Sequence, residues 1–233
     1  MGGGRDDERL AAHRHLGGLD DSIAALVAAH GPVDAYRPTT PSGIVDPLAA
    51  LALHVTGQQI SRIAALAIFG RLTALLGGTV DAARLAAESE DALRCVGLSR
   101  AKARALRELG ERVASGALDF AALAELDDDE ATRRLVALPG IGPWSAQVFL
   151  LRDMRRPDVF PSGDIALRRG LVLLDGLAEL PSPAWGADRA LAWRPWRSYA
   201  AAHLWRSYAL ARGEPVAPIA GGPGDAGGAP GAP

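Results

Sequence analysis

The sequence predicts an all-α protein, and three observations carry that prediction. Ala and Leu dominate a chain of 233 residues that is 48% hydrophobic but only 5% aromatic, a composition suited to helices packed through small and branched side chains. Apolar residues recur at three- and four-residue spacing over most of the length. Strand signals are weak throughout, and only the DVF stretch before Asp164 reads as extended.

Caps and breakers then assign the elements in order. Residues 1–15 open on MGGG, and residues 213–233 form a Gly/Pro/Ala tail; both are expected to be disordered, because such segments cannot bury a core. The helical core is expected over 16–212. LDDSIAALVAAHG has an Asp-rich first turn and a Gly stop. DPLAALALHVTGQQISRIAALAIFGRLTALLGG reads as two helices joined near Gly57 and ended by Gly77 and Gly78. SEDALRCVGLSRAKARALRELGERVASG gives a short helix, a turn at Gly97 and a long helix capped by Ser99, with Leu98, Ala101, Ala105 and Leu109 as its buried stripe. DDEATRRLVAL is a helix stopped by Pro139. PWSAQVFLLRDM begins with Pro143 in a first turn, and DIALRRGLVLLDG and RPWRSYAAAHLWRSYALARG complete the set. Two segments echo one another: LRCVGLSRAKARALREL and LVALPGIGPWSAQVFLL are each helix, glycine turn, helix, the second much sharper.

Composition excludes several classes. No run of eighteen apolar residues is present, so a membrane partner is not expected. The single cysteine, Cys95, rules out an internal disulfide, a four-cysteine zinc site and a four-cysteine iron–sulfur cluster. MGGGRDDERL lacks the apolar stretch of a signal peptide, and a cytoplasmic protein is the simplest reading, associated with the nucleoid if bacterial. The formal net charge is only −2, but its distribution is uneven. Residues 118–130 carry six acids and no base, whereas residues 133–169 carry seven Arg against three Asp, and 193–212 carry four Arg and no acid. Basic charge therefore gathers where the unusual motifs lie, although solvated helix faces would give the same count.

The sharper hairpin has a chemistry of its own. In LPGIGPW, Gly140 and Gly142 permit positive φ and close approach, and Pro143 sets the helix entry without an amide donor. Such a turn aims backbone N–H groups outward at a helix N-terminus, where a phosphodiester fits. It would grip the backbone of a nucleic acid rather than read its bases.

LPGIGPWSAQ followed by DVFPSGD resembles the helix-hairpin-helix, Gly/Pro-rich loop and Asp signature of the base-excision DNA glycosylases, with Asp164 lying 24 residues after Gly140. Within that superfamily the chain is most similar to the 3-methyladenine DNA glycosylase II, or AlkA-like, branch. HVTGQQIS and RPWRSYAAAHLW support the branch, and the resemblance spans roughly residues 45 to 212. It implies a two-lobed helical helix-hairpin-helix glycosylase fold, with the active-site cleft between the lobes and the hairpin near 135–150. It implies double-stranded DNA containing damaged bases as the partner; a monomer is expected from that function, since one damaged base needs one site. It assigns Asp164 as the catalytic carboxylate, Trp144, Trp205 and Val148 to the base pocket, and Gln58 and Gln59 to the wedge that fills the gap left by a flipped base. Gly140, Ile141, Gly142 and Ser145 become the phosphate-binding hairpin. No catalytic metal or cofactor is expected, but the carbonyls of Val136, Leu138 and Ile141 are a candidate seat for a structural Na+ or K+.

The residues say why those roles make sense. An Asp before IALRRGLVLL is in most proteins a helix N-cap, and the two readings are compatible. Breaking an N-glycosidic bond builds oxocarbenium character on the deoxyribose, which an adjacent carboxylate stabilises. Bifunctional relatives carry a Schiff-base Lys just after the hairpin; Trp144 stands there, and Lys102 is the only Lys in the chain. A monofunctional glycosylase is expected. Aromatic faces attract cations, so Trp144 and Trp205 would suit alkylated purines such as 3-methyladenine and 7-methylguanine, which are positively charged; as plain core residues they would carry no such role. Val148 stands where one relative has Tyr, and Gln59 where one has an apolar wedge, so a glycosylase for deaminated or oxidised bases stays open, as does a non-catalytic DNA-binding protein. His54 and His203 have no metal-ligand partners at usable spacing and are expected in supporting roles.

Overall fold

Capping side chains set the helix boundaries. In the computed structural model, which describes residues 3–36 and 46–214, Asp20, Asp46, Ser61, Ser99, Asp127 and Asp164 each sit in extended backbone at a helix start and accept from an amide two or three residues on. Each satisfies a donor that the first turn would leave without a partner. No strand occurs among the described residues. The DVF stretch forms no strand; Val159 and Phe160 bury their side chains in an irregular segment. No helix of the described residues is long and apolar enough to cross a membrane.

The chain divides into two compact units, residues 36–163 and the pair of segments 1–35 and 164–233. The continuous unit holds α3 (Pro47–Gly57), α4 (Arg62–Leu75), α5 (Ala82–Ala87), α6 (Glu90–Cys95), α7 (Arg100–Ala114), α8 (Phe120–Glu125), α9 (Asp128–Val136) and α10 (Pro143–Arg152). Helix α3 packs on α4, α7 and α10, and α5 lies along α7. Leu51, Leu72, Leu85, Leu106, Leu135 and Phe149 are fully buried in it, each stabilising by about 1.5–3 kcal/mol. His54 Nε2 lies 2.7 Å from Asp153 Oδ2 and ties α3 to the end of α10. Arg156 donates to the carbonyls of Leu123 and Leu126 and to Asp128, closing α8 onto α9. The long hairpin helix α7 buries Ala103, Ala105, Leu106 and Leu109, but Ala101, expected in that stripe, is exposed. The stripe follows the 103–106–110 line because α5 presses there.

The two-segment unit holds α1 (Gly3–Gly17), α2 (Asp21–His30), α11 (Ile165–Asp175), α12 (Pro183–Ala190), a single 3-10 turn (Leu191–Trp193) and α13 (Arg197–Ala211). Here one expectation is corrected: residues 1–15 were to be disordered, yet α1 starts at Gly3. The glycines are followed by good helix formers, Ala12 and Leu16 are wholly buried, and α1 packs on α2 and α13. Tyr199 Oη donates to Glu8 at 2.9 Å and fastens the helix from the other side. Tertiary burial thus overrides composition. Trp193 is wholly buried beneath the Arg189 guanidinium, 4.8 Å above its ring, and Tyr199 is buried too. In the expected disordered tail, Gly213 and Glu214 complete the end of α13, with the Glu214 amide on Ala209 O; residues 215–233 lie outside the described residues.

Candidate active site

Asp164 is the N-cap of α11, and its side chain does more than cap. Oδ1 accepts from the amides of Ala166 at 2.8 Å and Leu167 at 2.9 Å. The same oxygen accepts the indole Nε1–H of Trp205 at 3.1 Å. Three donors on one oxygen fix where the carboxylate points, and the positive end of the helix dipole favours its charge.

Trp205 reaches Asp164 because α11 and α13 pack unusually close. Gly170 makes that possible: a Cβ there would lie 2.8 Å from Leu204 O and 2.9 Å from Leu204 Cβ. Helix α13 is held from behind by His203, whose ring stacks on that of His30, with the two Nδ1 atoms 3.3 Å apart. Burial pushes His203 down to about 3, with smaller contributions from His30, His13 and Arg206. His30 is lowered as well, by burial first and by Arg206 second. The pair is therefore neutral at neutral pH, which is the form an apolar interior tolerates.

On the continuous unit the α9–α10 hairpin turns as LPGIGP demands. Gly140 has φ +77, and a Cβ on it would lie 3.1 Å from that of Ala105. The Ile141 amide donates to Leu138 O at 3.2 Å. Gly142 enters α10 in extended backbone, offers no side-chain cap, and is followed by Pro143. Gly140 and Gly142 are exposed, whereas Ile141 and Ser145 are 4% and 5% exposed. Ser145 is therefore not an outward phosphate ligand through its hydroxyl: the oxygen faces Gln58 Nε2, which donates to it at 3.4 Å. Trp144 is 44% exposed on the first turn of α10, and Val148, one turn on, is buried.

The Gly57–Ile60 turn leans on that hairpin. Gln58 Nε2 donates to Gly140 O at 2.7 Å, so Gln58 turns inward and does not project as a wedge. Gln59 is exposed with φ +59, a left-handed conformation rare for a residue with a Cβ. The turn is backed by Lys102, whose ammonium donates to Thr56 O at 2.8 Å and Gln58 O at 2.7 Å. Partial burial lowers the Lys102 pKa.

The structure thus brings Asp164 and Trp205 into contact, and it joins Gln58 to Gly140 and Ser145. Trp144 and Val148 stand on the continuous unit, and Asp164 and Trp205 on the other. Part of the local Arg excess is spent internally, Arg133 and Arg134 on Glu130 and Arg156 on Asp128. His54 and His203 pair with Asp153 and His30, and among the described residues no cluster of His, Cys, Asp or Glu forms a metal site. Sequence reasoning missed Gly170 and the clamp by Lys102. A Gly inside IALRRGLVLL and a lone Lys among 25 basic residues were the available signals.

Residues 54–194 match the family model described as HhH-GPD superfamily base excision DNA repair protein. The chain is 30% identical over 203 residues to DNA-3-methyladenine glycosylase 1 of Schizosaccharomyces pombe, covering 86% of this chain and 88% of that one. It is 30% identical over 209 residues to DNA-3-methyladenine glycosylase 2 of Escherichia coli, covering 85% and 71%. The solved structure of the S. pombe 3-methyladenine DNA glycosylase in complex with abasic DNA superposes with a TM-score of 0.72 at 29% identity, covering 86% of this chain and 98% of the other.

Proposed function

Since the chain belongs to the HhH-GPD superfamily of base excision DNA repair proteins, we propose that it is a monofunctional DNA glycosylase. It binds double-stranded DNA, flips out an alkylated purine of the 3-methyladenine or 7-methylguanine type, and hydrolyses its N-glycosidic bond, leaving an abasic site. The observation that carries this is Asp164, held by three N–H donors at the start of α11 with Trp205 as one of them.

In the reaction the C1′–N bond breaks and its electron pair passes to the purine, which loses its positive charge as it leaves. Water oxygen bonds to C1′. The Asp164 carboxylate stabilises the oxocarbenium character that develops between those events, orients the attacking water and accepts its proton. Trp144 and Trp205 offer electron-rich faces to a cationic base, which selects it with few hydrogen bonds. The exposed backbone of Gly140 and Gly142 receives a DNA phosphate at the entry to α10. The carbonyls of Val136, Leu138 and Ile141 would hold a Na+ or K+ there; Leu138 O accepts from the Ile141 amide, and backbone carbonyl oxygens can replace the hydration shell of a monovalent ion. Such an ion would add positive charge beside the phosphate. Gln59, the projecting residue of its turn, enters the gap and hydrogen-bonds the orphaned base, a task that flipping imposes.

Strand cleavage is not part of this activity. Trp144 cannot form a Schiff base, and the one Lys side chain is committed as a donor to two carbonyls. A monomer suffices for one damaged base per site, acting in the cytoplasm. A second reading, a glycosylase for deaminated or oxidised bases, is favoured by the small Val148 and the polar Gln59. Base release from methylated duplex, wild type beside Asp164→Asn, with binding to abasic duplex measured in parallel, tests the proposal. Release by the wild type and loss in the variant with binding retained supports it. Intact binding with no release by the wild type overturns the alkyl-purine assignment and directs a panel of lesion duplexes.

A further inference from the structure

Gln59 is held in a conformation that a residue with a Cβ adopts only when its surroundings impose it. Two contacts hold the preceding residue. The Gln58 backbone carbonyl accepts from Lys102, and the Gln58 side-chain Nε2 donates to Gly140 O of the hairpin. Lys102 also takes Thr56 O, a carbonyl that the end of α3 leaves without an intrahelical partner. Its own position is set by Ser99, which caps α7 through the Lys102 amide. A compact ammonium with three donors can bridge two carbonyls side by side, and at this place alone the chain uses Lys among 25 basic residues.

We propose that Lys102 is a positioning residue for base extrusion: by clamping Thr56 O and Gln58 O it holds Gln59 in its left-handed conformation and keeps that turn tied to the hairpin at Gly140. The inference rests on the glycosylase reading above. It assigns Lys102 no contact with DNA and no part in bond cleavage. It also makes the turn and the hairpin one preorganised surface, so that Gln59 is in place before a base leaves the stack.

Lys102→Met tests it, because Met keeps the stem and deletes the donors. A cavity of about 320 Å³, bordered by Gln58, Lys102, Ala105 and Gly140, gives the thioether room without forcing helices apart. The full-length protein is used. Peptide-level hydrogen exchange over residues 57–61 is read in the free protein, and single-turnover excision from methylated duplex at saturating enzyme is read beside affinity for abasic duplex. The expected result is a variant with unchanged far-UV circular dichroism, exchange over 57–61 at least tenfold faster, and excision at least tenfold slower, with a smaller loss of affinity. Unchanged exchange or an unchanged excision rate overturns the role. Wild-type protein that releases no methylated purine would instead sink the glycosylase reading itself, and the positioning role with it.

Discussion

Replacing Asp164 by Asn and by Ala separates its two duties. Asn presents the same Oδ1 to the amides of Ala166 and Leu167 and to the Trp205 indole, and it caps helices about as well as Asp. The Asn variant therefore keeps these three bonds and loses the favourable charge at the helix start, about 0.3–1 kcal/mol, or roughly 1–4 °C in Tm for a chain of this size. Ala removes the cap, about 1 kcal/mol, and deletes the hydrogen bond from the Trp205 indole to Asp164, about 1 kcal/mol more. Its Tm should fall by roughly 4–8 °C. Excision should not follow that order. Both variants lose the charge opposite the developing oxocarbenium ion, and the loss of one such electrostatic contact costs about 10²–10³ in rate. Single-turnover release of methylpurines, set beside thermal melts monitored by circular dichroism, reads both quantities. Asn within tenfold of wild type in rate would refute the catalytic role and leave Asp164 as a cap. A Tm loss as large in Asn as in Ala would refute the geometry that ties three donors to one oxygen.

Three further outcomes follow from the same structure. Gly170→Ala places a Cβ 2.8 Å from Leu204 O, and such overpacking costs about 1–3 kcal/mol; Tm should fall and excision with it as Trp205 leaves Asp164, and an unchanged melt would refute the close-packing argument. Borohydride added to enzyme and abasic duplex should trap no covalent adduct on a denaturing gel, whereas a trapped species would overturn the monofunctional reading. Stability should also fall as pH drops below about 6.5. The unfolded chain then protonates its histidines while buried His203 stays neutral down to about 3, so the unfolded state binds the extra proton and the folded state loses about 1.4 kcal/mol per pH unit per such group. His203→Gln should flatten Tm between pH 6 and 5, and a wild-type melt level over that interval would refute the assignment.

What was legible in the sequence was local. Asp20, Ser99 and Asp164 announced helix starts by their side-chain chemistry, and LPGIGP announced a sharp turn, because caps and turns are decided within a few residues. The long-range half was not legible. Nothing in MGGGRDDERLAAHRHLG tells that Ala12 and Leu16 will be covered by α2 and α13. Gln58 and Gln59 are chemically identical neighbours, and only the fold decides that one turns in to Gly140 while the other sits exposed. Ser145 lies in the hairpin motif, yet its side chain is buried against Gln58. Asp164 and Trp205 were each legible from the family pattern, but their hydrogen bond depends on Gly170 allowing two helices to touch.

The unit bearing Asp164 is woven from two stretches, residues 1–35 and 164–233, whereas the hairpin unit is one unbroken run. A ribosome adding about 5–20 residues per second needs roughly 6–26 s to make the run between them. Throughout that interval α1 and α2 have been made but not α11 or α13, on which their buried side chains depend. The hairpin unit has all of its own chain first. Maturation is thus ordered in time: the part that carries the hairpin is complete before the part that carries the carboxylate, and a nascent chain has no assembled Asp164–Trp205 pair until α13 has been synthesised.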